Sequence, residues 1–357
     1  MMRKRIYSAG NSGGVSGRAG RKNIVVVGSM NMDLVVNCQR LPRPGETIPG
    51  EKFSTHPGGK GANQAAAAGR LGGKPLFIGA RGEDDFGREL QERLTSMGVT
   101  TELKITDAET GTAHIMVTAE GENHIIIIAG ANGELRPGDI TDRSDLLKNA
   151  GYLLLQLEIP LETVSRAAEI ATENDVSVIL DPAPACQLPA ELLKKVDILL
   201  PNQQELEQLT ADRFGSAADG SAAEEKERVQ HLFQQGVKNI LLTRGAAGAR
   251  LYCQERQKNQ QEKKARHLNN RAILFSSYDI AAPEVEAIDT TAAGDALAGA
   301  LAVALSRGLT LREAAELGVI YGSAAVTAAG AQSSLLTARE LIEKMPEATQ
   351  LMTRIVN

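Results

Sequence analysis

Short, wholly apolar runs recur along the chain, each closed by a glycine or a polar residue. The first, residues 24–28 (IVVVG), is β-branched and too short for a helix. A run with no polar alternation is buried on both faces, as strands inside a parallel sheet are. Residues 75–79, 152–156, 176–180, 198–200 and 240–243 repeat the pattern. Between them, helices are expected over 62–71, 86–97, 160–174 and 222–235. Strands alternating with helices predict an α/β fold: a central, mostly parallel sheet flanked by helices. Ligands of such folds gather at the carboxyl ends of the strands.

Two stretches break the alternation. Residues 33–37 with 47–55, and 111–118 with 124–129, read as strands joined by turns, AEGEN (119–123) being the second turn. These four strands are expected to form a small sheet, with lid strands near 33–56 and 111–130. Such a sheet is marginal alone, so it should cover a site or pair with another subunit.

Composition narrows the class. A chain of 357 residues, 42% hydrophobic, can bury the core of one large α/β domain or of a domain with an appendage. A net charge of -5 and a pI near 5.7 argue against nucleic acid or an anionic membrane as partner. No apolar run is long enough to cross a bilayer, so a soluble protein is expected. Cys38, Cys186 and Cys253 are isolated, without CxxC spacing. That pattern fits buried or incidental thiols in a reducing, cytoplasmic compartment rather than a disulfide framework or a zinc site. Residues 1–22 are basic, free of acids and without the apolar core of a secretory signal. They read as a disordered extension ahead of a domain over 23–357, with an organellar transit peptide as the alternative. The polar run 253–271 reads as a solvated or disordered hairpin extension, because Glu and Gln interrupt its basic charge.

The strongest chemical signal is DTTAAGD (289–295), which runs directly into ALAGALAVAL. A Gly-Asp pair thus stands where a tightly packed helix should begin. First-turn N–H groups lack intrahelical partners, and the helix dipole makes that end a site for phosphate. A carboxylate beside such an anion hole can take a proton as negative charge develops. Phosphoryl transfer to a hydroxyl is therefore expected, with Asp295 as base.

Other residues are weaker signals alone. PGGKGANQ (57–64) lets backbone approach a ligand and supplies donors from Lys60 and Asn63, yet it also reads as a tight turn closing onto a helix. Its spacing is not that of a P-loop. Asn31 and Asp33 follow the first strand, where a turn or cap is the ordinary reading. Glu158 follows YLLLQL, where a surface carboxylate is the plain alternative. Asn202 and Glu205, in PNQQE, form an ordinary helix start or hold waters around Mg²⁺. TRGAAG (243–248) is a glycine loop of the kind that cradles phosphate. His56 and His114 have no partner constellation and read as structural or exposed.

Taken together, GSMNMD, PGETIPG, PGGKGANQAAAAGRLGG, GENHIIIIAGAN, QLEIPLETV, DPAPA, PNQQELEQLT and VEAIDTTAAGDALAGALA resemble segments of the ribokinase family, the PfkB-type carbohydrate kinases. The resemblance extends from about Ile24 to about Leu336. It implies an α/β core with a β-sheet lid, homodimers in which two lids clasp, and ATP-dependent phosphorylation of D-ribose at O5. By this resemblance Asn31, Asp33, Gly59, Lys60, Asn63 and Glu158 bind the sugar and Asp295 is the base. Ala292, Ala293 and Gly294 form the anion hole. Asn202 and Glu205 organise Mg²⁺ and phosphate, and Thr243, Gly245 and Gly248 line the nucleotide loop. Asp289 and Thr291, with Ala325, Ala328, Gly330 and Ser334 of VTAAGAQSS, hold an activating monovalent cation, normally K⁺.

The chain departs from the family pattern at three places. Ala292 stands where DTxGAGD has its first glycine, Asp181 where NPAPA is common, and the 253–271 run exceeds the usual turn. The alternatives are a related kinase for deoxyribose, a nucleoside or fructose, and a catalytically silent sugar- or nucleotide-binding regulatory protein.

Overall fold

A computed structural model describes residues 23–215, 221–255 and 273–356. The basic extension at 1–22, and all of the 253–271 run beyond Glu255, lie outside them. Strands β1 (Ile24–Val27), β4 (Leu76–Gly82), β5 (Thr100–Thr106), β8 (Tyr152–Leu155), β9 (Ser177–Leu180), β10 (Ile198–Leu199), β11 (Asn239–Thr243), β12 (Ala249–Gln254) and β13 (Phe275–Ile280) form one sheet. Its order is β13-β12-β11-β10-β9-β8-β1-β4-β5. All neighbours are parallel except β11–β12 and β12–β13, which are antiparallel.

The apolar runs form the interior of this sheet because two cores lie against it. Along β1, Ile24 and Val26 enter one core, while Val25 and Val27 enter the other. Each such buried side chain is worth about 1.5–3 kcal/mol relative to exposure. In the first core the helices Lys60–Arg70 and Ala293–Ser306 meet through small residues. A Cβ on Gly299 would lie 2.6 Å from that of Ala67, so only glycine permits this approach. The helix carrying Asp295 is thereby seated on the helix carrying Lys60 and Asn63.

The lid is a separate four-stranded sheet of β2 (Asn31–Asn37), β3 (Lys52–Gly58), β6 (Gly111–Val117) and β7 (Asn123–Ile128), in the order β3-β2-β6-β7. The central pair β2–β6 is parallel and the outer pairs are antiparallel. The AEGEN turn is present, with Gly121 at φ 83° and its N–H on Thr118 O at 2.9 Å.

Three expectations are corrected. The second lid strand is Lys52–Gly58 rather than 47–55, because β2 ends at Asn37, whose partner is Lys52, so the ladder does not extend to residues 47–51. Asp33 lies in the lid strand as expected, but that strand, β2, begins two residues earlier, so Asn31 belongs to the lid as well rather than trailing β1. The sheet also holds β5, β12 and β13, which the apolar runs did not indicate. The last two make the polar run the connection of an antiparallel hairpin. Among the described residues no helix is long and apolar enough to cross a membrane.

Candidate active site

The site is built where the lid meets the carboxyl ends of β1, β8 and β9. Gly59 precedes the helix Lys60–Arg70 at φ 87°, and it has no side chain with which to cap the helix. Glu158, from the loop after β8, takes over that role: its Oε2 accepts from the Lys60 N–H at 3.0 Å and from Ser29 Oγ at 2.6 Å. A carboxylate is well placed there, because the first-turn N–H groups need an acceptor. Glycine is required for this approach: a Cβ on Gly61 would lie 2.7 Å from Gly28 Cα.

Asn31 is buried, and its Oδ1 accepts from Asn132 Nδ2 at 2.7 Å. Asn132 also brackets the Met30 peptide, accepting from its N–H and donating to its C=O, each at 3.0 Å. The root of the lid strand is therefore pinned. The Asp33 carboxylate lies over Gly58, where a Cβ would come within 2.3 Å of Oδ2. Burial, then Glu158 and Asp295, push its pKa up to about 7. Lys60 moves the opposite way from what its burial alone dictates. Asp181, Asp295, Glu158 and Glu205 more than offset desolvation and hold its ammonium charge.

Asp295, only 4% exposed, is the third residue of the helix Ala293–Ser306. Its Oδ2 accepts from Asn63 Nδ2 at 3.0 Å and its Oδ1 from Gln64 Nε2 at 3.1 Å. Gln64 also donates to Asp181 Oδ2 at 2.9 Å and accepts from Gln156 Nε2 at 2.6 Å. On the other side, Gln332 Nε2 donates to Asn63 Oδ1 at 3.2 Å. Asp181 is buried, and burial raises its pKa above the usual carboxylate range; Lys60 opposes this, while Asp295, Glu205 and Glu158 reinforce it.

The helix start has the geometry of an anion site. Ala292 precedes it in the left-handed region at φ 60°, and the Ala296 N–H to Ala292 O bond, 2.8 Å, closes the first turn. The Ala293 N–H reaches back to Thr290 O at 3.4 Å, and the N–H groups of Gly294 and Asp295 follow it ahead of that first bond.

The residues expected on the nucleotide side form a second cluster. Asn202 and Glu205 make a reciprocal capping box, 2.8 Å in each direction, at the start of Gln203–Leu209. The ordinary helix-start reading of PNQQE is thus realised. Asn202 is exposed and Glu205 half-buried, both offer oxygen donors, and Mg²⁺ prefers few protein ligands and several waters, so the pair fits that ion through water. Asn202 bridges Thr243 directly. Gly248 turns the following loop at φ 84°, where a Cβ would strike Ile280 O at 2.1 Å, and Gly245 is also left-handed at φ 55°.

The loop expected to hold a monovalent cation is cross-braced. Asp289 Oδ1 accepts from the Thr291 N–H and Oδ2 from the Gly330 N–H, each at 2.8 Å. These bonds, with Thr291's side chain and the nearby His56, outweigh partial burial and hold Asp289 below the usual carboxylate range. The carbonyl that ties the two loops is Val326 O, accepting from Ile288 and Asp289 N–H, one residue beyond Ala325. Ser334 is buried, with Oγ on Ala331 O at 3.1 Å. A carboxylate and backbone carbonyl oxygens make a hard donor set of the kind that suits an alkali cation. His56 bonds Ser54 Oγ at 3.0 Å and His114 contacts Thr112 Oγ1 at 3.2 Å; neither joins the Asp295 network.

Ser29, Gln64, Asn132, Gln156 and Gln332 were not singled out from sequence, and Asp181 was noted only as a departure from the family pattern. The signal for them was local: Gln156 and Asp181 are the first polar residues after the apolar strands β8 and β9, where parallel sheets place ligands.

The pfkB family carbohydrate kinase pattern matches residues 21–338. A ribokinase of Haemophilus influenzae is 36% identical over 92% of this chain and the whole of that protein. Among solved structures, a ribokinase of Thermotoga maritima superposes with a TM-score of 0.78 at 35% identity, covering 91% of this chain and 99% of its own. A ribokinase of Arabidopsis thaliana, solved in complex with ribose and ATP, gives 0.77 at 32% identity, covering 90% and 97%. The chain belongs to the pfkB family of carbohydrate kinases and is an ATP-dependent enzyme of that class.

Proposed function

We propose that the chain transfers the γ-phosphoryl group of ATP to O5 of D-ribose, giving D-ribose 5-phosphate and ADP. The observation that carries this reading is Asp295. Its carboxylate is oriented by Asn63 and Gln64 and stands in the first turn of a helix whose leading N–H groups precede the first intrahelical bond. The O5 proton passes to Asp295, O5 bonds to the γ-phosphorus, and the bond to the β–γ bridging oxygen breaks. N–H groups contributed by Ala292, Ala293 and Gly294 stabilise the charge on the transferring group. Asn31, Asp33, Gly59, Lys60, Asn63 and Glu158 supply polar groups for a sugar with several free hydroxyls.

Thr243, Gly245 and Gly248 line the ATP side. Mg²⁺ held through water by Asn202 and Glu205 would neutralise phosphate charge. K⁺ would sit among Asp289, Thr291, Ala325, Ala328, Gly330 and Ser334, where it adds fixed positive charge behind the anion hole. Residues 23–357 act as one kinase domain with its lid. Phe53 and Ile125, Ile126, Ile127 and Ile128 are all exposed on that lid and give it an apolar surface for clasping a second copy. Three unpaired cysteines fit a reducing, cytoplasmic setting.

A coupled ADP-release assay with ribose, Mg²⁺ and K⁺ tests the reading. A higher kcat/KM for deoxyribose, fructose or a nucleoside would overturn the ribose assignment. Absence of turnover with every sugar would leave a silent binding protein.

A further inference from the structure

Gln64 is 1% exposed and connects three groups that the apolar strands and two helices bring together. Its carboxamide has two N–H donors and one acceptor oxygen. Nε2 donates to Asp181 Oδ2 at 2.9 Å and Asp295 Oδ1 at 3.1 Å, and Oε1 accepts from Gln156 Nε2 at 2.6 Å. An ionised carboxylate only accepts, so the amide nitrogen must face the two aspartates, which leaves the oxygen for Gln156. The amide has a single satisfied orientation.

A carboxylate's terminal torsion is broad and close to two-fold, so Asp295 has no intrinsic preference for the angle that presents a lone pair to a sugar hydroxyl. Asn63 fixes one oxygen and Gln64 the other. We propose that Gln64 is a positioning residue for the phosphoryl-transfer reaction, setting the plane of the Asp295 carboxylate and itself anchored by Asp181 and Gln156. This rests on Asp295 being the base. Asp181, which stands where NPAPA is common in the family, thereby acquires a defined role as the anchor of that amide. For anchoring the amide an oxygen acceptor is what matters, and an aspartate and an asparagine both supply one. A displacement of about 1 Å at a reacting group costs about 10²-fold in rate.

The test is a kinetic and unfolding comparison of Gln64→Met, Asp181→Asn, Asp181→Leu and Asp295→Asn with the unsubstituted protein, using ribose, ATP, Mg²⁺ and K⁺. Gln64→Met keeps the volume and removes the polar groups. It should fold cooperatively, keep KM for both substrates within about threefold, and lose about 10²-fold in kcat. Asp181→Leu should lower kcat by about tenfold more than Asp181→Asn does, because only the asparagine keeps an oxygen acceptor for the Gln64 amide. A Gln64→Met enzyme with full kcat, or one altered only in sugar KM, overturns the proposal. Should Gln64→Met fail to fold, the Asp181 pair decides, and equal kcat in the two variants overturns it. Full activity in Asp295→Asn would instead remove the base assignment itself. An inactive Asp295→Asn beside a fully active Gln64→Met would sink only the role of Gln64.

Discussion

Gly294→Ala adds one methyl group at the second position of the helix Ala293–Ser306, where a built Cβ meets no atom within 4 Å. Gly294 is not among the positive-φ residues, so alanine needs no backbone change. Glycine inside a helix is less favourable than alanine by about 0.5–1 kcal/mol, and near the first turn the gain is smaller. The melting temperature should therefore hold or rise by up to about 2 °C. The chemistry responds in the opposite sense. Cβ atoms of a helix tilt toward its N-terminus, so the new methyl points at the space where a phosphoryl oxygen must come within about 2.9 Å of an N–H. A methyl carbon requires about 3.5 Å from its neighbours, so the anion is pushed off at least one donor. Losing one such donor costs roughly 3 kcal/mol, or 10²–10³-fold in kcat. Thermal melts together with coupled ADP release at saturating substrate measure both effects. Wild-type kcat in a variant of unchanged stability would refute the placement of the transferring group at this helix end.

Gly59→Ala should behave differently, because its Cβ would lie 2.7 Å from both Asn31 N and Met30 Cα at a φ of 87°. Backbone strain of about 1–3 kcal/mol adds to overpacking of about 1–3 kcal/mol, and denaturant unfolding showing a loss below about 1 kcal/mol would contradict this. Ala292→Gly relieves a left-handed alanine at φ 60° but loosens the unfolded chain. These terms, about 1–2 and 0.4–1 kcal/mol, oppose one another, so stability should hold or rise by at most about 1.6 kcal/mol and kcat should be preserved; a large fall in kcat would assign the methyl a role. Asp33 has its folded pKa raised from 3.8 to about 7, so the stability it contributes is full below the unfolded value and is lost as pH rises through about 7. Asp33→Asn should accordingly gain melting temperature over the wild type between about pH 4 and 7 and level off above; a gain independent of pH would refute the assignment.

The interior of the fold was legible because β1, β8 and β9 are buried at every position, and contiguous apolar runs reveal that state directly. β5 (TTELKIT) and β13 (FSSYDI) were not, since they border the sheet and mix exposed polar with half-buried apolar positions. In the site, Asp295 and Asn63 stand in compact motifs. Gln64 adjoins Asn63, yet its partners Asp181 and Asp295 lie 117 and 231 residues away, and only the sheet order brings them within reach. The capping of the Lys60 helix by Glu158 was likewise hidden, because a helix capped by its own preceding residue is the local expectation and Gly59 offers no side chain.

Asn31 and Asp33 are also the opening residues of β2, a central strand of the lid. On the proposed sugar-binding roles of these two residues, sugar contact and cover are thus carried on one piece of backbone, anchored at its root by Asn132. A mutation that retunes sugar preference at 31 or 33 also retunes how the cover sits, and a change in the lid's pairing alters the hydroxyl contacts. The nucleotide-side residues lie on neither sheet edge of the lid nor any of its four strands. On the proposed assignment, acceptor choice in this scaffold is therefore bound to its lid sheet, whereas donor binding is free to diverge without it.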